Sequence, residues 1–178
     1  MTGQAMRELA LQVRDLIVAG DQYRQVVAAA LGVGVPESVT LGHLYYAGQL
    51  TPTAIAELLG MTTASVTGLL DRLSASGYLT RSPNPRDRRS ILVTLTDEGS
   101  AALRGLSEVF VADIELATSG ADAAEQAGLE RLLRQAGAAL RHRTTDPSRL
   151  AELRAAARPG DPAARIPEPA DRQDNPTT

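Results

Sequence analysis

The sequence predicts a mostly α-helical protein with one small β-wing, and three observations carry that prediction. Hydrophobic residues make up 43% of the chain but aromatics only 3%, so Leu, Val and Ala must fill the core, and that favours helices. Two short helical patterns, TPTAIAELLG (51–60) and MTTASVTGLLDRLSASG (61–77), meet at Gly60. The stretch YLTRSPNPRDRRSILVTLTDEG (78–99) then sets an Arg-rich loop between two strand patterns. In that order these parts make a winged helix-turn-helix. Two helices precede it and two follow it.

Each element has a local reason. Residues 5–31 repeat apolar side chains at three- and four-residue steps (Met6, Leu9, Val13, Leu16, Ile17, Tyr23, Val27, Leu31), and Gly32 and Gly34 stop the helix. A second helix follows Pro36, puts Leu41, Leu44 and Tyr45 on one face, and ends near Gly48. Thr51 caps a third helix and Pro52 starts it, with Ile55, Leu58 and Leu59 as its apolar face. Thr62 caps the fourth, whose buried stripe is Val66, Leu69, Leu70 and Leu73. Strands are expected at Tyr78–Ser82 and Ser90–Leu95. Thr96 caps a fifth helix carrying Leu103, Leu106, Phe110 and Ile114. A sixth spans about 121–142 with Leu129, Leu132, Leu133, Ala136 and Leu140. Ser148–Arg158 has the pattern of a short helix through Leu150 and Leu153. Pro159–Thr178 holds five of the ten prolines and one large aliphatic residue, Ile166, so it is expected to be disordered. The expected organisation is a helical segment over 1–34, the winged lobe over 35–99, two helices over 100–145 and a largely disordered tail over 146–178.

Composition narrows the function. There is no Cys, which removes disulfides, thiolate metal sites and thiol-based sensing of oxidants. His43 and His142 lack paired spacing, so no metal and no cofactor is expected. No nucleophile–base set or Gly-rich phosphate loop is evident, so an enzyme is not expected. MTGQAMRELALQVRDL is too charged for a signal peptide, and the longest weakly apolar run, VVAAALGVGV (26–35), is far short of a membrane span. A cytoplasmic, nucleoid-associated protein with no membrane partner is expected.

The net charge is −3, yet residues 81–89 hold Arg81, Arg86, Arg88 and Arg89 against Asp87 alone. Local charge decides what approaches a surface. The N-terminal half of the fourth helix shows Thr62, Thr63, Ser65 and Thr67, small polar side chains able to approach base edges in a major groove. On an isolated helix they would read equally as solvated positions, and the Arg loop alone as an ordinary charged hairpin. Both in this order point to double-stranded DNA. Arg86 and Arg88 are expected at the wing tip, in the minor groove. Asp87 is expected to pair with Arg89 and brace the loop, while Arg72 and Arg81 are expected on phosphates, which position without specifying. A winged-helix module that binds another protein instead of DNA is the alternative.

These residues resemble the MarR family of bacterial transcription regulators. The family's wing pattern, Asp-x-Arg, three residues, Val-x-Leu-Thr, two residues, Gly, is met without gaps by Asp87, Arg89, Val93, Leu95, Thr96 and Gly99. SVTGLLDRLSASGYLTR (65–81) is also similar to the family's recognition helix and first wing strand. The resemblance is good over about residues 35–100; outside that stretch the helices agree only in order and length. It implies a homodimer, held by the first helix and the last two, that reads a pseudo-palindromic operator, by default as a repressor. It also implies a site for small phenolic or other anionic ligands, here lined by Tyr23, His43, Tyr45, Tyr46 and Phe110. Each of those five also reads as plain core or interface packing.

Overall fold

The computed structural model describes residues 3–87 and 89–157. Two compact units divide the chain after Ala117. The first unit contains α1 (Gly3–Leu31), α2 (Val35–Ala47), β1 (Gln49–Leu50), α3 (Pro52–Leu59), α4 (Thr63–Ala75), β2 (Leu79–Pro83), β3 (Ile91–Leu95) and α5 (Asp97–Ala117). The second contains α6 (Ala123–Thr145) and α7 (Pro147–Ala156).

The core of the first unit is aliphatic. Leu41 and Leu44 of α2, Ile55 and Ala56 of α3, and Val66, Leu69, Leu70 and Leu73 of α4 close against Leu79 and Val93 of the sheet. Leu31 at the end of α1 and Leu103 in the first half of α5 complete it. The lobe expected over 35–99 therefore draws buried side chains from both flanking helices. One expected core residue lies outside. Leu58 is exposed, and Ala56 takes its place. At about 100° per residue, Ile55, Ala56 and Leu59 share an arc that leaves Leu58 on its rim.

The wing belongs to a three-stranded antiparallel sheet of order β1-β3-β2. Gln49 and Leu50 pair with Thr94 and Val93. Leu79 to Pro83 pair with Leu95 to Ile91. The two-residue β1 is absent from the sequence reading because it is too short to show alternation. Gly60 ends α3 with φ 63°, a left-handed geometry that suits a residue without Cβ, and the chain axis turns by 108° into α4.

The wing is tied to α5 at one tight point. Thr96 Oγ1 donates to the carbonyl of Gly77 at 2.6 Å and accepts the Gly99 N–H at 3.0 Å. A Cβ on Gly99 would lie 2.2 Å from the Tyr78 carbonyl oxygen. That oxygen also accepts the Thr96 N–H, so it cannot retreat freely. Gly99→Ala is expected to cost about 3 kcal/mol, the upper end for overpacking, because the obstructing atom is backbone. Urea unfolding checks this, and an unchanged midpoint would contradict it.

In the second unit, Asp122 caps α6 with a full capping box closed by Glu125. The α6 face carrying Leu129, Leu132, Leu133 and Leu140 is largely exposed in one copy of the chain. Asp146 accepts the Ser148 N–H and hydroxyl and starts α7, so the segment expected as a tail from 146 begins with a helix. The expected disorder of 159–178 lies outside the described residues. Among the described residues, no single helix is long and apolar enough to cross a membrane.

Candidate nucleic-acid interface and an adjoining cavity

The N-terminus of α4 is organised by hydroxyl groups. Thr62 Oγ1 accepts the Ser65 N–H at 3.2 Å and lies 2.9 Å from Ser65 Oγ. Both hydroxyls thus serve the cap. Thr67 Oγ1 donates to the Thr63 carbonyl at 3.0 Å, which leaves Thr67 only acceptor capacity and its methyl group. The exposed Thr63 hydroxyl has no partner among the described residues. Three similar side chains therefore offer three different surfaces, and the apolar stripe beneath them (Val66, Leu69, Leu70, Leu73) fixes their direction.

The wing loop holds its shape by the Asn at its entry, by Ser90 and by Asp87. Asn84 Nδ2 donates to Ser90 Oγ at 2.8 Å, and Asn84 Oδ1 accepts the Arg86 N–H at 3.0 Å. Asn84 lies between Pro83 and Pro85, where an Asx turn is the expected use of an Asn, so the signal was available. Asp87 Oδ1 accepts the Arg89 backbone N–H at 3.0 Å. Asp87 thus meets Arg89 through the main chain rather than through the guanidinium. Arg86 and Arg89 are exposed, and among the described residues neither side chain has an ion-pair partner. Arg88 lies outside the described residues.

Arg72 and Arg81 have acidic partners. Arg72 Nε donates to Glu37 Oε1 at 2.9 Å, and its Nη2 reaches the same oxygen. Arg81 Nη2 donates to Asp71 Oδ1 at 2.7 Å, while Arg81 Nε is buried without a partner among the described residues. Nothing in the sequence links Glu37 to Arg72 across 35 positions, so both acids escape a sequence reading.

Tyr23, His43, Tyr45, Tyr46 and Phe110 line one cavity of about 460 Å³ bounded by α1, α2 and α5. Tyr23 and Phe110 stack at 5.3 Å between ring centroids, tilted by 50°. Tyr45 and Tyr46 meet edge to face at 5.4 Å. Arg24 also lines the cavity, and its Nη2 pairs with Asp21 at 3.0 Å. The wall is mostly apolar, with hydroxyls, one imidazole and the Asp21-paired guanidinium. No group of three or more His, Cys, Asp or Glu side chains suited to a metal occurs among the described residues.

The chain is similar to known proteins in sequence and fold. The MarR family profile matches residues 31–90, which cover α2 to the wing loop. The HTH-type transcriptional regulator YkoM of Bacillus subtilis is 32% identical over 111 residues, covering 62% of this chain and 72% of YkoM. YfiV of the same organism is 41% identical over 78 residues, covering 44% of this chain; the chain spans about half of YfiV's length, 49%. The crystal structure of apo wild-type MarR from Escherichia coli superposes with a TM-score of 0.57 at 27% identity, covering 72% of this chain and 95% of MarR. The capped α3–α4 pair, the Arg wing closed on Gly99 and these similarities agree: the chain belongs to the MarR family of HTH-type transcriptional regulators.

Proposed function

We propose that the chain is a homodimeric, sequence-specific regulator of transcription, a repressor, that binds double-stranded DNA and is released by a small phenolic or other anionic ligand. The observation that carries the reading is the pairing of a hydroxyl-lined N-terminal α4 with a wing whose Arg86 and Arg89 are exposed and unpaired among the described residues. α4 enters the major groove, and Thr63, Ser65 and Thr67 face base edges. Arg86 and Arg89 meet the backbone and minor groove. Arg88 is kept at the wing tip on the sequence argument alone. Two copies joined by a two-fold axis read half-sites whose centres lie about 10 bp apart.

The hydroxyl geometry separates two residues that the sequence treats alike. Thr67→Val keeps the methyl group and loses a hydroxyl already used on the Thr63 carbonyl, so affinity is expected to stay within about threefold, below 1 kcal/mol. Thr63→Val removes an unused donor and is expected to cost about 1 kcal/mol of discrimination between bases, the worth of one neutral hydrogen bond. Binding to a panel of single-base operator variants checks the contrast, and equal losses for the two variants would contradict it.

The dimer reading rests on exposed helical faces. Met6, Leu9, Leu16 and Ile17 of α1, Val109 and Phe110 of α5, and the α6 leucines are all largely exposed in one copy. Contiguous apolar faces of this kind mark association surfaces. The cavity bounded by α1, α2 and α5 is the ligand site in this reading. A ligand moves the DNA-binding equilibrium only by its different affinity for the two arrangements of the lobes.

The deciding experiment is a gel shift with DNA from upstream of the chain's own gene, repeated with 4-hydroxybenzoate. A shift that the acid reverses supports the whole reading. A shift that it leaves intact removes the ligand class alone. No shift with that DNA or with duplexes from a random pool overturns DNA recognition and favours a protein-binding winged helix.

A further inference from the structure

The recognition helix α4 is held by ion pairs at two consecutive positions. Asp71 reaches Arg81 on wing strand β2, and Arg72 reaches Glu37 in the first turn of α2. We infer that Glu37 is a positioning residue: through Arg72 it sets α4 against α2 and links the α1–α2–α5 cavity to the DNA-reading surface. The inference rests on the reading of α4 as the helix that meets DNA.

Three features make the joint more than a surface pair. Glu37 is 7% exposed, so its carboxylate needs a permanent partner. Arg72 approaches with both Nε and Nη2 on one oxygen, Oε1, which fixes the direction of the guanidinium as well as its distance. The other oxygen, Oε2, sits against Gly34, where an added side chain would make the end of the Glu37 side chain shift. A Cβ on Gly34 would lie 2.4 Å from it. Gly34, Glu37 and Arg72 thus form one unit at the junction of the α1–α2 turn, α2 and α4.

The position of Glu37 on α2 gives the unit its consequence. Val39, Gly42, His43 and Tyr46 line the cavity, on the helical face roughly 180° from Glu37 at 100° per residue. α2 packs against α1, α3, α4, α5 and β3, so it joins the cavity to the lobe, as α1 and α5 do through Leu31 and Leu103. The close-packed aliphatic core holds α2 and α4 together. The Glu37–Arg72 fork adds a directional contact to that packing, so α4 follows α2, and the wing strand follows α4 through Asp71–Arg81. Arg72 therefore acts on DNA through the angle of α4 rather than by touching a phosphate.

The test uses the full chain and a duplex that it selects from a random pool. Glu37→Gln, Arg72→Gln, the double variant and Gly34→Ala are compared for affinity, salt slope and binding to an unselected duplex. Gly34→Ala displaces the carboxylate without changing charge, and it keeps the test open if a charge variant fails to fold. Each single variant is expected to weaken the selected duplex about tenfold, with the double no weaker than the singles. The salt slope and the binding of unselected DNA are expected to stay as in the parent chain. Gly42→Phe, which fills the cavity from a position with open space around it, is expected to change affinity in the parent and not in the double variant.

The inference is overturned if Glu37→Gln binds as well as the parent while Arg72→Gln loses about one unit of salt slope per protomer, because Arg72 then contacts phosphate directly. An effect of Gly42→Phe that persists in the double variant, or that is absent from the parent, overturns the link to the cavity. A parent chain that selects no duplex overturns the DNA reading itself, and this inference falls with it.

Discussion

Replacing Arg86 and Arg89 together with alanine is expected to lower affinity for duplex DNA by about 100- to 1,000-fold near 0.15 M salt. The salt dependence should flatten by about 3.6 units in the log–log slope. A two-fold dimer presents four of these side chains, and each phosphate neutralised on B-DNA releases about 0.9 counterion. At that salt, the counterion release alone amounts to about three decades, which is the upper bound. Readjustment of the remaining arginines lowers it. The loss should fall on selected and unselected duplexes alike, since phosphate contacts position without specifying. It should also occur without unfolding. The wing loop is held by Asn84, Asp87, Ser90 and main-chain groups, and the Arg86 and Arg89 side chains take no part in those bonds. Titrations at four or more salt concentrations decide the matter. An unchanged slope would show that the wing does not meet the phosphate backbone.

The α3–α4 unit was legible because its signals are local. Thr51 and Thr62 accept the N–H groups of Ala54 and Ser65, three residues on, and Val66, Leu69, Leu70 and Leu73 share one helical face. The wing strands were legible to within a residue at each end, because alternation and a Pro-bounded loop are also local. β1 was not, being two residues paired with β3 across the lobe. Leu58 was misplaced because a run of apolar residues does not say which arc of a short helix faces the core. The five residues expected around a ligand site do line one cavity, yet Arg24, its cation, was not among them. The partners of Arg72 and Arg81 were illegible for a different reason. Charge in a sequence identifies what a side chain can attract, while the fold decides whether a carboxylate arrives first.

Leu129→Asp with Leu133→Asp in α6 is expected to convert the dimer to a monomer at micromolar concentration, with at least a thousandfold rise in the dissociation constant, about 4 kcal/mol. Both leucines are about half exposed in one copy and neither is in the buried core, so in a single chain the substitutions should leave the helix in place. Asp at these positions also leaves the Asp122–Glu125 capping box untouched. In the proposed dimer each leucine occurs twice, so four sites change. Each is already about half covered in one copy and forfeits only about 0.7–1.4 kcal/mol of further burial, and each new carboxylate adds a desolvation penalty, so together the four sites reach the threshold. Loss of the dimer then propagates to DNA. A monomer engages one half-site and forfeits the effective concentration that tethers the second lobe, so affinity for a two-half-site operator should fall by about 100-fold or more. Affinity for an isolated half-site should not change. Sedimentation velocity and half-site titrations on the same preparation separate this from misfolding, which would lower both. A variant that still sediments as a dimer would place the subunit contact on α1 and α5 alone. A parent chain that sediments as a monomer would refute the dimer and leave a one-lobed winged helix.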